Sequence, residues 1–218
     1  MKAHVSEIFR SIEGEGQYIG FPTVFVRLTG CNLRCKWCDT KYALEDGEYI
    51  KVGELLRRVN EIKKEGDIIS FTGGEPLLQQ EVIEEFIKLN EENNFYIIET
   101  NGTIAPSEFL KGSAFFEISP KLKNSGQSIK YDLSWVSSLS LLGRYHIKFV
   151  VLEEKDFEEI DELVNKFKLE KEKISIQPNG LVNDYNNEML KVVEWCKERG
   201  YRFIPQLHRI LWGLRRGV

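Results

Sequence analysis

Residues 23–38 read Thr-Val-Phe-Val-Arg-Leu-Thr-Gly-Cys-Asn-Leu-Arg-Cys-Lys-Trp-Cys, an apolar, β-branched run followed at once by three cysteines. Residues 23–28 have the composition of a buried strand that ends before Gly30. Cys31, Cys35 and Cys38 are spaced C-x3-C-x2-C in one loop. They are too close together for a disulfide framework in a chain of 218 residues, and clustered reduced thiols of this kind usually hold a metal.

The same unit, a short apolar run that ends in a polar or Gly-rich turn, recurs along the chain. It predicts further strands at residues 68–71, 96–98, 115–118, 146–151, 174–176 and 202–204. Amphipathic periodicity predicts helices at residues 52–64, 81–90, 157–167 and 187–199. Strands that alternate with helices form right-handed βαβ units and a parallel sheet. Six or seven units are fewer than a closed eight-unit barrel needs, so we predict an α/β fold, an incomplete open (βα)6-type barrel, as one domain over residues 1–218.

Composition excludes several classes of function. The hydrophobic share is 42%, the charged share 29% and the net charge −4, which is ordinary globular usage with no cationic field for nucleic acid or anionic lipid. The sequence has no run of eighteen apolar residues and no apolar segment typical of a secretion signal near Met1. We therefore expect a cytoplasmic protein with neither a membrane nor a nucleic acid as partner.

Every polar cluster follows a predicted strand. Thr72-Gly73-Gly74-Glu75, Glu99-Thr100-Asn101-Gly102, Ser119-Pro120-Lys121 and Gln177-Pro178 all stand where a strand ends, as does the cysteine loop. In parallel sheets of this kind, ligands bind beyond the carboxyl ends of the strands. The sequence therefore predicts one functional site on one rim of the barrel.

Three clustered thiols leave two interpretations open. Three thiolates suit an iron–sulfur cube in which one iron lacks a protein ligand and can take a chelating substrate. A structural zinc site is the alternative, and it needs a fourth ligand. His4, His146 and His208 are the histidines of the chain and none is within 25 residues of the loop, which favours the iron–sulfur cluster. Cys196, in a predicted helix, reads as a small buried hydrophobe.

These motifs together resemble those of radical S-adenosylmethionine enzymes: C-x3-C-x2-C, then Gly-Gly-Glu-Pro at 73–76, then Glu-Thr-Asn-Gly at 99–102. The resemblance implies a [4Fe-4S] cluster held by Cys31, Cys35 and Cys38, with S-adenosylmethionine chelating the fourth iron. It also implies an external one-electron reductant, a flavodoxin- or ferredoxin-like protein. The cofactor pair then carries the radical chemistry, and the protein supplies geometry and excludes solvent.

A closer resemblance covers nearly the whole chain. Residues 9–17, 20–28, 30–40, 71–79, 118–121, 176–178 and 205–212 are similar, in order, to 7-carboxy-7-deazaguanine synthases. The resemblance implies a homodimeric lyase of queuosine-type biosynthesis, which converts 6-carboxy-5,6,7,8-tetrahydropterin to 7-carboxy-7-deazaguanine and releases ammonia. Glu13 departs from the family's usual Gln at this position.

The resemblance also implies residue roles. It assigns S-adenosylmethionine contacts to Trp37, Cys38, Asp39, Gly74, Glu75, Glu99, Ser119, Pro120, Lys121 and Gln177, with the Glu75 carboxylate accepting from the ammonium group. It assigns substrate contacts to Ile12, Glu13, Gly14, Arg27 and Thr72, and a Mg²⁺ ion to Thr40. Arg27 fits its role because a guanidinium is a fork-shaped donor for a carboxylate. His208 and Arg209 either close the pocket or belong to the core.

Two other functions remain as alternatives. An activase for a glycyl-radical enzyme is also a short radical S-adenosylmethionine chain, but often carries a second cysteine set, which this sequence lacks. An iron–sulfur electron carrier would be closed by four cysteines, and the Gly-Gly-Glu-Pro and Glu-Thr-Asn-Gly motifs argue against it.

Overall fold

The computed structural model describes residues 1–90 and 93–218. These residues form nine strands and seven α-helices. The strands are β1 (Lys2–Ile12), β2 (Pro22–Leu28), β3 (Glu48–Lys51), β4 (Ile68–Gly73), β5 (Tyr96–Thr100), β6 (Phe115–Ile118), β7 (Tyr145–Val151), β8 (Ile174–Pro178) and β9 (Arg202–Phe203). The helices are α1 (Val52–Ile62), α2 (Gln80–Leu89), α3 (Glu108–Ser113), α4 (Val136–Ser140), α5 (Asp156–Phe167), α6 (Tyr185–Arg199) and α7 (Leu207–Trp212).

All nine strands belong to one open sheet in the order β3-β1-β2-β4-β5-β6-β7-β8-β9. From β2 to β9 each neighbouring pair is parallel, whereas β1 is antiparallel to both β2 and β3. The parallel part, β2 and β4 to β9, is the predicted incomplete (βα) barrel. Strands β3 and β9 are the edge strands of the whole sheet.

Local sequence explains where the helices begin and end. Asp184 caps α6, because its Oδ1 accepts a hydrogen bond from Asn187 N at 3.1 Å. The same helix ends at Gly200, whose φ of 67° is the left-handed conformation that glycine adopts without strain. Ser107 caps α3 by accepting from Leu110 N at 3.3 Å. These caps set where the helices of two crossovers begin and end.

The core lies between the sheet and its helices. Fully buried aromatic side chains of strands β4, β6 and β7 face helical partners; Phe71 packs edge-on against Phe86 of α2, with ring centroids 5.2 Å apart. A second, smaller apolar cluster covers the inner face of the sheet at the amino ends of the strands. It consists of Ile68, Ile97, Phe115 and Tyr18. The carboxyl half of the inner face is thereby left for polar groups.

The connection between β1 and β2, residues 13–21, crosses the inner face of the sheet. Glu13 N donates to Phe21 O and Gly20 N donates to Glu13 O, each at 2.7 Å, which closes the connection on itself. Its far end reaches β6 and β9, because Gln17 N donates to Glu117 Oε2 at 3.0 Å and Arg202 Nη1 donates to Gln17 Oε1 at 2.9 Å. A segment at one end of the sheet thus contacts strands near the other end, so the sheet is curled.

The seven predicted strands and four predicted helices are confirmed, with ends that match or are shifted by one or two residues. Strands β1 and β3 and helices α3, α4 and α7 were not predicted. The strand before the cysteine loop is therefore the second of the chain and not the first. Strand β1 carries alternating polar residues that stay half-buried, which is the pattern of a one-sided antiparallel strand rather than a buried parallel one.

No helix within the described residues is long and apolar enough to span a membrane.

Candidate active site

A cavity of about 570 Å3 lies at the carboxyl ends of the parallel strands. Its wall contains all but two of the residues that the sequence assigned to the site: Ile12, Glu13, Gly14, Arg27, Cys31, Cys35, Trp37, Cys38, Asp39, Thr40, Thr72, Gly74, Glu99, Ser119, Lys121 and Gln177. The residues come from six of the strands or the loops that follow them, as expected when strand ends meet on one rim.

The cysteine loop is fixed against the loop that follows β4. Glu75 N donates to Gly30 O at 2.8 Å, and Gly30 N donates to Ala43 O at 2.8 Å. A Cβ atom on Gly74 would lie 2.2 Å from Gly30 O and 2.7 Å from Cys31 Cβ. Only glycine permits this approach, so the Gly-Gly sequence serves to bring the two loops together.

The three thiols of the loop fit an iron–sulfur cluster. All three are free, half-buried and face one cavity. Burial raises the pKa of Cys31 and of Cys35, although the Lys121 ammonium opposes the shift. The raised pKa favours the protonated form of these two thiols without metal, and a cluster that binds them as thiolates releases protons. Leu33 N already donates to Cys31 Sγ at 3.3 Å.

Glu75 and Pro120 are the two assigned residues that do not line the cavity. The Glu75 side chain is fully buried and turned into the protein. Its Oε1 accepts from Leu77 N at 3.0 Å and Thr100 Oγ1 at 2.8 Å, and its Oε2 accepts from Asn101 N at 2.7 Å. Three donors leave this carboxylate one further acceptor position, so its contact with a ligand ammonium group stays a prediction. Pro120 is likewise buried behind the wall.

Lys121 brings a positive charge to the cluster side of the cavity. Its Nζ donates to Ser119 Oγ at 2.7 Å and lies 5.7 Å from the centroid of the Trp37 ring. Burial lowers the pKa of Lys121, and Lys148 lowers it further. An anionic group of a ligand would relieve this cost.

A buried ion pair forms the floor of the cavity. Lys148 Nζ of β7 donates to the Glu15 carboxylate, and both side chains are nearly buried, with exposures of 8% and 14%. Gln177 Nε2 and Gln206 Nε2 also donate to Glu15, at 3.2 and 2.6 Å. Burial opposes the charge on each partner, yet Lys148 holds the pKa of Glu15 well below its usual range and Glu15 raises that of Lys148.

Glu13, the departure from the family's glutamine, is buried next to this pair. Its side chain is only 5% exposed. Oε1 accepts from Gly14 N at 3.1 Å, and Oε2 has no hydrogen-bond partner among the described residues. Burial raises the pKa of Glu13 well above its usual value, and the nearby Glu99 carboxylate raises it further. The neutral acid offers one donor and one acceptor, as a glutamine amide does.

The Arg27 side chain is held at the cavity wall by one carboxylate and two aromatic rings. Its Nε donates to Glu7 Oε2 at 3.0 Å, and its guanidinium lies over the rings of Phe9 and Tyr42, with its Cζ 5.6 and 6.0 Å from their centroids. Tyr42 OH donates to the same oxygen of Glu7 at 3.0 Å. Among the described residues, the terminal nitrogens of Arg27 have no recorded acceptor. The fork therefore remains available for a carboxylate, as predicted.

Sequence reasoning missed several residues of the cavity. Tyr42, Lys148 and Gln206 line it but gave no signal, because each acquires its importance from a partner distant in the chain. The same holds for Glu7, which does not line the cavity but accepts from Arg27. Residues 213–218 also line the cavity, and Arg216 pairs with Glu7 and lies over the Tyr42 ring. His208 and Arg209 belong to the wall as well; His208 packs so closely on Gly14 that a Cβ there would lie 2.3 Å from its Nδ1.

Comparison with known proteins agrees with this architecture. Residues 25–124 match the Radical SAM superfamily. The chain is 32% identical over 216 residues to 7-carboxy-7-deazaguanine synthase of Thermoplasma acidophilum, covering 98% of this chain and 99% of the relative. It is 32% identical over 221 residues to the synthase of Pyrobaculum aerophilum, covering 99% and 97%. The crystal structure of QueE from Escherichia coli superposes with a TM-score of 0.74 at 27% identity and covers 95% of each chain.

A curled parallel sheet with a three-cysteine loop on its rim defines the class, and the superfamily match places the chain among radical S-adenosylmethionine enzymes. Such enzymes use a [4Fe-4S] cluster and S-adenosylmethionine. More particularly, the chain belongs to the 7-carboxy-7-deazaguanine synthase family. It is a radical S-adenosylmethionine lyase of deazapurine biosynthesis.

Proposed function

We propose that the cavity converts 6-carboxy-5,6,7,8-tetrahydropterin to 7-carboxy-7-deazaguanine and releases ammonia. One observation supports this proposal. The same cavity contains three free thiols in one part, and the Arg27 guanidinium with the buried Glu13 and Glu15 in another. The first part suits the cofactors, and the second suits a small ligand with a carboxylate at one end and a hydrogen-bonding heterocycle at the other.

Cys31, Cys35 and Cys38 would hold the cluster, with one iron left for S-adenosylmethionine. When bound, this cofactor pair supplies the chemistry by reductive cleavage of S-adenosylmethionine to methionine and a 5′-deoxyadenosyl radical. The residues proposed to bind S-adenosylmethionine are Trp37, Cys38, Asp39, Gly74, Glu99, Ser119, Lys121 and Gln177. Glu75 and Pro120, which lie just behind the wall, are proposed for the same binding site, with Glu75 as an acceptor for the ammonium group.

The substrate would lie between Arg27 and the β1–β2 connection. Arg27 would bind its carboxylate, and Thr72 would contact it from β4. Ile12, Glu13 and Gly14 would hold the pterin edge. Glu99 Oε2 accepts from Thr72 Oγ1 at 3.1 Å, which orients that hydroxyl. A neutral Glu13 supplies both a donor and an acceptor, which the amide-like pyrimidine edge of a pterin can match.

Replacing Arg27 with lysine tests the carboxylate site. Lysine keeps the charge but loses the fork, so we expect substrate affinity to fall by about 1.5–3 kcal/mol, the value of a charged hydrogen bond. That is a KM increase of roughly 10- to 150-fold. Cleavage of S-adenosylmethionine without substrate is expected to stay at the wild-type level. Equal loss of both activities would identify Arg27 as a folding residue and contradict the assignment.

We also propose that Thr40 helps to bind Mg²⁺. Its Oγ1 lies 3.7 Å from Cys38 Sγ, so an ion at this hydroxyl would sit at the cluster side of the substrate. Among the described residues, no three His, Cys, Asp or Glu side chains come together as a site for a single metal ion. The ion would therefore take its other ligands from substrate oxygens and water, as Mg²⁺ commonly does.

Thr40→Val tests this role, because it keeps the shape and removes the oxygen. We expect product formation by the wild type, after chelation, to rise with added Mg²⁺, and Thr40→Val to lose that response with its iron content unchanged. Thr40→Ser, which keeps the hydroxyl, is the matched control and should respond as the wild type does. A wild type indifferent to Mg²⁺ would remove the role assigned to Thr40.

Partners and location complete the proposal. An external one-electron reductant, flavodoxin- or ferredoxin-like, would reduce the cluster, and the chain would act as a homodimer in the cytoplasm. Exposed apolar side chains on α7, namely Ile210 and Leu211, support self-association. Sedimentation of the purified protein tests the dimer directly.

A further inference from the structure

Asn101, at the end of β5, is a buried amide that approaches a cysteine of the loop. Its side chain is part of a residue only 5% exposed. Nδ2 lies 4.0 Å from Cys31 Sγ and donates to Asn32 Oδ1 at 3.0 Å. Asn101 was outside every residue role assigned from the sequence, and the proposed substrate and cofactor contacts do not use it.

The orientation of this amide is determined by its partners. Asn101 Oδ1 accepts two hydrogen bonds from Thr103, from N at 3.0 Å and from Oγ1 at 2.6 Å. Both are donors, so the oxygen must face Thr103 and the NH2 group must face Cys31. The Thr103 hydroxyl is itself held, because Asn32 Nδ2 donates to it at 2.7 Å.

The backbone of Asn101 is fixed from the other side. Its N–H donates to Glu75 Oε2 at 2.7 Å, and Thr100 Oγ1 donates to Glu75 Oε1 at 2.8 Å. Glu75 belongs to the Gly-Gly-Glu-Pro motif, whose Gly74 is in close contact with Cys31. Two motifs from separate strands thus hold one amide beside one thiol. Asn101 makes four hydrogen bonds in all, which hold its amide at a fixed position and orientation beside the sulfur.

We propose that Asn101 is a positioning residue that donates a hydrogen bond to the Cys31 thiolate and thereby raises the reduction potential of the cluster. This inference rests on the proposed role of Cys31 as a cluster ligand. Reduction adds negative charge, and donors to the coordinating sulfurs stabilise the more negative state. The Leu33 N–H makes a similar contact at 3.3 Å, but it is backbone, whereas Asn101 is a side chain that a single substitution can test.

The test is the midpoint potential of the reconstituted cluster, measured by EPR-monitored titration without substrate in the full chain. Asn101→Ala removes the donor, and Asn101→Asp also places a negative charge beside the sulfur. We expect the potential to fall in the order wild type, Asn101→Ala, Asn101→Asp. The equilibrium constant for reduction should decrease about tenfold for the alanine variant, which is about 59 mV for one electron.

Asn32→Ala is the matched control. It removes the Asn32 contacts to the Asn101 amide and to the Thr103 hydroxyl. Thr103 N and Glu75 still orient Asn101 beside Cys31, so the potential is expected to stay close to the wild-type value. An Asn32→Ala shift as large as that of Asn101→Ala would overturn the inference, because the effect would then come from loop position.

Two further results would also overturn it. The first is a potential unchanged in both Asn101 variants at full iron content; the second is loss of the cluster from both, which would make Asn101 a structural support. Failure of the proposed substrate chemistry is distinguishable, since the titration contains no pterin. Failure of the cluster assignment is distinguishable too, since Cys31→Ala would then retain its iron.

Discussion

Replacing Cys31, Cys35 or Cys38 with alanine is expected to remove the bound iron and to reduce S-adenosylmethionine cleavage to background in each case. A cube with only three protein ligands has none to spare, because its fourth iron must stay open for S-adenosylmethionine. The three thiols lie on one loop and face one cavity, so no other described cysteine can replace a lost ligand. Iron content, the visible absorption of the reconstituted protein and release of 5′-deoxyadenosine are the measurements.

Cys196→Ala is the control for these variants. Cys196 is a residue of α6 that is only 1% exposed, and burial raises its pKa to about 12. A thiol held protonated in an apolar core is a poor metal ligand. We expect iron content and cleavage to match the wild type. Dependence of the iron on Cys196 would contradict the three-cysteine site and its open iron.

Replacing Lys148 with methionine is expected to destabilise the fold by about 3–5 kcal/mol, the cost of leaving one partner of a buried ion pair alone. The substitution keeps much of the apolar stem and removes the charge that neutralises Glu15. The Gln177 and Gln206 amides would remain, but they donate hydrogen bonds without carrying charge. Since Glu15 belongs to the β1–β2 connection, the floor of the cavity would be lost with it. Urea unfolding of the iron-free protein measures the free energy.

Two variants make this result specific. Lys197→Met breaks an exposed pair with Glu194, whose side chains are 67% and 60% exposed, and should cost at most about 1 kcal/mol. Glu15→Gln combined with Lys148→Met removes both charges, and should be clearly more stable than Lys148→Met alone. A double variant as unstable as the single one would mean that Lys148 acts by packing and not by charge.

The parallel part of the fold could be predicted because strands β2 and β4 to β8 are short, largely apolar runs, mostly buried on both faces. Residues 68–71 and 96–98 could be identified as strands from their local sequence, without knowledge of the strands they pair with. Strand β1 was missed because one of its faces is polar and its pairing is antiparallel, to β2 and β3. Strand β3 was missed because only Ile50 of its four residues is buried.

The part of the site that could be predicted consists of polar residues at the carboxyl ends of the parallel strands. The cysteine loop, Ser119 and Gln177 stand where the topology brings the rim together. The contact between Glu15 and Lys148 joins residues 133 positions apart, and no local pattern reports such a pair. Lys148 within residues 146–151 reads simply as a polar residue in a strand. Glu75, whose motif the sequence indicated, accepts a hydrogen bond from Asn101 N and does not line the cavity, which no local pattern reports.

Turnover of the tetrahydropterin tests the central claim most directly. The anaerobically reconstituted protein would be incubated with 6-carboxy-5,6,7,8-tetrahydropterin, S-adenosylmethionine, Mg²⁺ and a one-electron reductant, and the products followed by mass spectrometry and an ammonia assay. We expect 7-carboxy-7-deazaguanine and an equal amount of ammonia, with neither formed when S-adenosylmethionine or the reductant is omitted. Cleavage of S-adenosylmethionine to 5′-deoxyadenosine with no deazaguanine and no ammonia would contradict the proposed function.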